Sequence, residues 1–237
     1  MSTASIRERL RDAFDPALMQ TYARIMLRGY PVPDDLFCPY VPYIFDEYGE
    51  MKTKLMVVGQ QSKTSITMKD AIERRLLFDQ LSVQTKALKN GVETDSAFFH
   101  FASNLNERLN GKHDLGWIWE NLGKISQGNS LPDDRFRQFN EREFCILYAE
   151  IEKVGANVIV FATGPNYDEL LLRQVCLNPD PTPNPIEAVP GYDVREMAEI
   201  KGLPYRAYRC YHPDHLRYKP NGLESTLDTL CKLISTA

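Results

Sequence analysis

Residues 157–170 read NVIVFATGPNYDEL, and this stretch decides the fold class. Val158, Ile159, Val160 and Phe161 make a fully apolar, mostly β-branched run, the pattern of a strand covered on both faces. Residues 163–166 (TGPN) then turn the chain. Asn166 with Glu169 three positions on matches a capping box for a helix over residues 167–175. Strand, turn and helix in that order predict a sheet of mainly parallel strands, because a parallel neighbour needs a helical crossover.

Two other stretches read the same way. KLMVVGQ, residues 54–60, is a short apolar run ended by a glycine and predicts a buried strand entering a loop. YRAYRCY, residues 205–211, alternates and predicts a further strand. WIWENL, residues 117–122, fits either a strand or a short helix. Helical spacing marks the first thirty residues, with Gly29 as stop, and residues 68–89, 96–109, 141–154 and 223–234. Residues 30–48 carry Pro31, Pro33, Pro39 and Pro42, yet Phe37, Tyr40, Tyr43, Phe45 and Tyr48 make the segment too apolar for a free linker. It predicts an ordered wrap. Residues 178–190 hold five prolines and predict a flexible loop. No internal repeat is visible. The expected fold is α/β, a three-layer α/β/α sandwich with a mainly parallel central sheet, in one domain spanning residues 1–237. Residues 1–53 read as a helical and Pro/aromatic-rich extension, residues 54–237 as the core.

In such sheets ligands bind beyond the carboxyl ends of the strands. That predicts one functional rim made by residues 59–65, 163–166 and 212–217, with Asn121 a candidate to join it.

Composition narrows the partners. Of 237 residues 43% are hydrophobic and 25% charged, ordinary for a globular chain. No apolar run reaches the ~18–20 residues of a membrane span, and the start of the chain mixes charges without an apolar stretch. The reading is therefore no membrane, no secretory signal and a cytoplasmic setting. The formal charge is −4, which argues against a constitutive, non-specific nucleic-acid binder. Residues 195–219 depart from this, with six basic residues against three acids, so the segment is +3 and the remainder −7. This reads either as a solvated basic face or as a binding surface. The five cysteines, Cys38, Cys145, Cys176, Cys210 and Cys231, form no close pair. They suit a reducing compartment and offer no four-cysteine metal or cluster site.

Taken singly, the post-strand motifs are modest. GQQSK, residues 59–63, is neither a P-loop nor a dinucleotide turn and fits an ordinary strand-to-loop junction. HPDHLR, residues 212–217, places His212 beside Asp214 and two residues from His215, too few ligands for a metal. There is no GxSxG elbow. Neither metal nor organic cofactor is expected.

Together, VVGQQ, WENL, TGPNYD and YHPDHL, in that order, resemble the uracil-DNA glycosylase superfamily. The chain is most like a uracil-DNA glycosylase-like branch that combines a GQE-type first motif, a TGPNYD segment and a YHP-type last motif. The resemblance covers residues 54–218. It implies hydrolysis of the N-glycosidic bond of a deaminated or modified base in DNA. On this resemblance Gly59 and Gln60 match the start of the GQDPY motif, and Gln61 stands where the family has its catalytic Asp. Asn121 matches the Asn that reads the base, so Gln60 and Asn121 are the implied base-binding residues. His212 and Pro213 match the start of HPSPL, where the His stabilises the departing base. Gln61 and His212 are thus the implied catalytic pair. Leu216 falls at the offset of the wedge that fills the place of a flipped nucleotide. Ser62, Lys63, Leu216 and Arg217 are the implied nucleic-acid contacts, and Arg206, Arg209 and Lys219 are further candidates for phosphate. Three departures bear on chemistry. Gln61 can orient a water but cannot accept its proton. Lys63 replaces the Tyr that bars 5-methyl bases, and Ser62 replaces a Pro. Asp214 replaces a phosphate-binding Ser. Two other readings stand beside the enzyme: a non-catalytic nucleotide- or nucleic-acid-binding module of the same fold, and a protein-interaction role for residues 30–48.

Overall fold

A computed structural model describes residues 2–61, 64–87, 96–128, 132–177, 183–219 and 222–236. The order of elements is α1 (Thr3–Arg28), α2 (Asp46–Glu50), β1 (Leu55–Gln61), α3 (Met68–Glu73), α4 (Phe78–Ala87), α5 (Ala97–Asn110), β2 (Ile118–Gly123), α6 (Asp134–Arg142), α7 (Leu147–Val154) and β3 (Val158–Ala162). Then follow α8 (Asp168–Gln174), β4 (Ile186–Ala188), β5 (Met197–Ile200), β6 (Arg206–Cys210), α9 (Pro213–Leu216) and α10 (Leu223–Ser235).

The six strands form one sheet in the order β2-β1-β3-β6-β5-β4. β1 pairs in parallel with β2 and β3, aligning Gly59 with Asn121 and Leu55 with Val158. β3 pairs in parallel with β6, and β5 and β4 add an antiparallel edge. The sheet is thus mixed and mostly parallel. Alternate side chains enter two separate cores, as the strand period of two dictates. Met56, Val58, Ile118, Ile159 and Phe161 join α1, α4, α7 and α8 in one. Leu55, Val57, Trp119, Val158 and Val160 join α5 and α10 in the other. The sheet is packed on both faces, as a three-layer arrangement requires.

Helix α1 buries a stripe of Ile6, Leu10, Phe14, Leu18, Tyr22 and Ile25, starts on a Ser2 cap and ends at the left-handed Gly29. Its stripe lies in the same core as the sheet, so the N-terminal extension is built into the fold. Residues 30–48 are an ordered wrap, as expected. Its backbone is held by bonds from Phe37 N to Ser126 O (2.9 Å), Cys38 N to Ile66 O (3.0 Å) and Tyr40 N to Lys124 O (2.8 Å).

Several local expectations are corrected. Residues 68–89 do not make one helix; α3 and α4 are separated by Arg75 in a left-handed conformation, φ 51°. Tertiary contact sets this break, since the Asp15 carboxylate of α1 accepts the Phe78 N–H at 2.9 Å where α4 begins. Residues 88 and 89 lie outside the described residues. The helix expected over 141–154 is likewise two, α6 and α7. Between them the buried Gln174 side chain donates to the carbonyls of Asn140 (3.1 Å) and Phe144 (3.0 Å), competing with helix continuation. The Asn166/Glu169 capping box does not form. A 3₁₀ turn, Pro165–Tyr167, precedes α8, which has no side-chain cap. WIWENL proves to be the strand β2. Of the proline-rich stretch, residues 178–182 lie outside the described residues, while 186–188 are strand β4. Strand β5 had no counterpart in the sequence reading.

Candidate functional site

The chain leaves β1 for β2 on one side and leaves β3 for β6 on the other. The crevice at such a reversal, beyond the carboxyl ends of the strands, is where open α/β sheets hold ligands. A cleft of about 380 Å³ lies there, lined by Gln60, residues 163–167, and Tyr211, His212, His215 and Lys219, with Arg195. From the three predicted post-strand segments, Gln60, residues 163–166, and His212 with His215 meet on this rim. Gln60 Nε2 donates to Thr163 O at 2.9 Å, tying the end of β1 to the turn after β3. Tyr167 OH donates to Gln61 Oε1 at 3.1 Å.

Asn121 sits on β2 opposite Gly59 and is 2% exposed. A Cβ at position 59 would stand 2.6 Å from Asn121 Oδ1 and 3.3 Å from Phe98 Cε2, so only glycine admits this approach. Asn121 Nδ2 is buried with no hydrogen-bond partner, and so is Thr163 Oγ1. A buried amide without a partner costs about 1–3 kcal/mol, so a ligand oxygen that reached Asn121 Nδ2 would recover that cost. Phe98, at the start of α5, stacks on His212 with ring centroids 6.0 Å apart and planes at 19°. Asn121, Gly59, Phe98 and His212 therefore form a continuous run of contacts.

His212 caps α9, with its Nδ1 accepting the Asp214 N–H at 3.3 Å. The Asp214 carboxylate lies 3.5 Å from the same nitrogen. Burial pushes the His212 pKa below the ordinary imidazole value, and Asp214 opposes this more weakly. The ring is thus neutral near pH 7. With Nδ1 accepting, its proton sits on Nε2, a donor for a ligand oxygen.

Other predicted residues stand elsewhere. Leu216 is 3% exposed and packed in the core with α5 and α10, so it does not project as a wedge. Arg209 is fully buried and engaged, donating to both Asp168 oxygens (3.1 and 3.3 Å) and to the carbonyls of Val194 and Arg195. It fastens β6 to α8, and its guanidinium is turned inward, away from a surface where a phosphate could meet it. Arg206 begins β6, at the far end of the sheet from His212, and donates to Ile234 O. Arg217 is exposed beside the cleft and Lys219 lines it. Ser62 and Lys63 lie outside the described residues. Cys210 is buried, with its thiol pushed up to about 12 by burial, and among the described residues no three His, Cys, Asp or Glu side chains gather as metal ligands. No helix among them is long and apolar enough to cross a membrane.

Sequence reasoning missed Phe98, which looked like one more core residue in an AFFHF run. It also missed an ionic cluster behind the site. Glu120, Lys124 and Glu150 are all fully buried. Lys124 Nζ contacts Glu120 Oε1 and lies 2.9 Å from both oxygens of Glu150. Glu120 Oε1 also accepts the Asn121 N–H at 2.7 Å. Burial and the nearby Glu150 hold the Glu120 carboxyl well above the ordinary carboxylate range. One proton thus stays on the Glu120–Glu150 pair, leaving it balanced by Lys124. The one signal was a Glu inside an apolar strand. Compared with protein-family models and with curated proteins, the sequence matches none.

Proposed function

We propose that the chain is a uracil-DNA glycosylase-like protein that takes a deaminated or modified DNA base into this cleft and hydrolyses its N-glycosidic bond. The observation that carries this reading is the buried, unpartnered Nδ2 of Asn121, whose side chain meets Gly59 as does Phe98, the ring that stacks on His212. A planar, oxygen-bearing base suits a cleft lined by a neutral imidazole donor, with an aromatic ring and an unpartnered amide donor packed behind it. Asn121 reads the edge of the base. Gln61, held through Tyr167, orients a water toward C1′. The water oxygen bonds to C1′ as the C1′–N bond breaks, and the bond pair leaves with the base. His212 Nε2–H hydrogen-bonds the oxygen on which that charge collects. Water loses one proton to solvent, and the base takes one back. Arg195 and Lys219 meet the backbone phosphates.

A second reading has its own support: no Asp or Glu side chain lines the cleft among the described residues, and Gln61 cannot accept a proton. The same cleft then binds a base without cleaving it. Base release decides between them. Oligonucleotides carrying uracil, hypoxanthine, xanthine or 5-hydroxymethyluracil are incubated with the protein and assayed for alkali-labile sites. The expected result is release that falls about 100-fold in His212→Ala, the usual loss for removing one charge-stabilising donor. Tight binding of a base without release selects the second reading, and neither release nor binding overturns both.

A further inference from the structure

Two cysteines that are distant in sequence meet in space. Cys145 lies in the break between α6 and α7, and Cys176 follows the end of α8. The Cys145 thiol donates to the Arg173 carbonyl at 3.3 Å. The Cys176 backbone N–H donates to the same oxygen at 3.1 Å. The Cys145 sulfur therefore stands within two hydrogen-bond lengths of the Cys176 backbone. The electrostatics agree: burial pushes the Cys145 thiol above its ordinary value, and the nearby Cys176 thiol is the next cause.

Cys176 also holds an unusual backbone position. Its φ is 59°, in the left-handed region. With Leu177 N donating to Leu172 O at 2.8 Å, it closes α8 as a Schellman turn. Glycine is the ordinary residue at such a place, because a Cβ strains this conformation. A thiol there does nothing for the helix end, so its presence asks for another role. Cys176 is exposed, open to a small reagent in solvent, and Cys145 is half-buried. Cys38 and Cys210 differ: both are buried, with thiols pushed up to about 12, which leaves almost no thiolate near pH 7.

We propose that Cys145 and Cys176 are a reversible dithiol switch, closed to a disulfide by peroxide, that fastens the end of α8 to the junction of α6 and α7. It does not depend on the base-pocket reading. The Cys176 thiolate attacks one peroxide oxygen and the O–O bond breaks. Cys176 becomes a sulfenic acid, and the other oxygen leaves as water. The Cys145 thiolate then attacks the Cys176 sulfur, the S–OH bond breaks, and hydroxide leaves and takes up a proton. In sum, two thiols lose two protons and two electrons, and one peroxide becomes two waters. A thiol reductant reverses the bond by exchange. In the reduced chain this junction is held by hydrogen bonds from Gln174 to the Asn140 and Phe144 carbonyls. The disulfide adds a covalent tie at the same place.

The test treats the full chain with dilute hydrogen peroxide and maps its thiols by peptide mass spectrometry. The expected result is a joined Cys145–Cys176 peptide, with Cys38, Cys210 and Cys231 still free, and reversal by dithiothreitol. The thermal midpoint of the joined form should rise by about 5 °C, because the bond closes a loop of about thirty residues in the unfolded chain. Cys145→Ser should stop the reaction at a Cys176 sulfenic acid, trapped by dimedone. Cys176→Gly should form no joined peptide, while its reduced midpoint equals or exceeds that of the parent. A Cys176→Gly chain that melts well below the parent gives the side chain a structural role and overturns the proposal. So do a Cys176 sulfinic acid beside a free Cys145 thiol, a bond from either residue to Cys231, linkage only between chains, or a joined form that melts no higher than the reduced one.

Discussion

At the scale of single residues, the proposed chemistry rests on His212, and so does its pH dependence. A base whose folded pKa is lowered binds fewer protons folded than unfolded, so stability is lost as pH falls through the unfolded value toward the folded one. The donor form on Nε2 persists over the same range. Ligand binding or base release should therefore hold steady as pH drops through the ordinary imidazole pKa of about 6.5, and fall only below it. Asp214→Asn should move this fall to still lower pH, because the carboxylate is the group opposing the shift. An NMR titration of the His212 ring alongside the activity profile checks both. Much of this site was legible in the chain. Gln60, Thr163 and His212 each follow an apolar strand, and sheet topology alone sends such residues to one rim. What was not legible was direction. Leu216 and Arg209 have the composition of a surface contact, yet strand register and the placing of α5, α8 and α10 turn them inward.

At the scale of elements, β2 is the instructive strand. It carries Glu120 and Asn121 to opposite faces, one into the ionic cluster and the other against Gly59. Removing Lys124 leaves two carboxylates facing each other in a dry core. Lys124→Met should cost about 3–5 kcal/mol, the usual loss on stranding a buried charge. Glu120→Gln leaves a plain Lys124–Glu150 pair and should be far milder. It should also remove a penalty that grows with pH, because an acid whose folded pKa is raised loses stability as pH rises from its unfolded toward its folded value. Denaturant melts at pH 6 and pH 9 distinguish the two. Strand β2 was ambiguous in the sequence because WIWENL is six residues long, too short to separate a period of 2 from one of 3.6. The breaks at residues 74–77 and 143–146 were invisible for another reason. They are set by Asp15 and Gln174, side chains from distant elements.

At the scale of the whole molecule, the N-terminal helix is structural. Leu10 and Phe14 are completely buried in the core beneath the sheet. Leu10→Ala should cost about 2–5 kcal/mol. A chain lacking residues 1–53 should lose its cooperative thermal transition, as circular dichroism would show. An independent 54–237 core with an unchanged midpoint would overturn that. The sequence boundary at residue 53 therefore marks a change of composition and pattern, while the packing crosses it. The parallel layout has a temporal consequence too. Leu55 of the central strand pairs with Val158, and the cleft needs His212 as well. During synthesis the first strand must wait for about a hundred residues before its second neighbour exists, and the rim of the cleft closes only after the sixth strand has emerged. No N-terminal fragment that stops short of that point holds a finished site, so binding activity on a nascent chain should arise late and in one step.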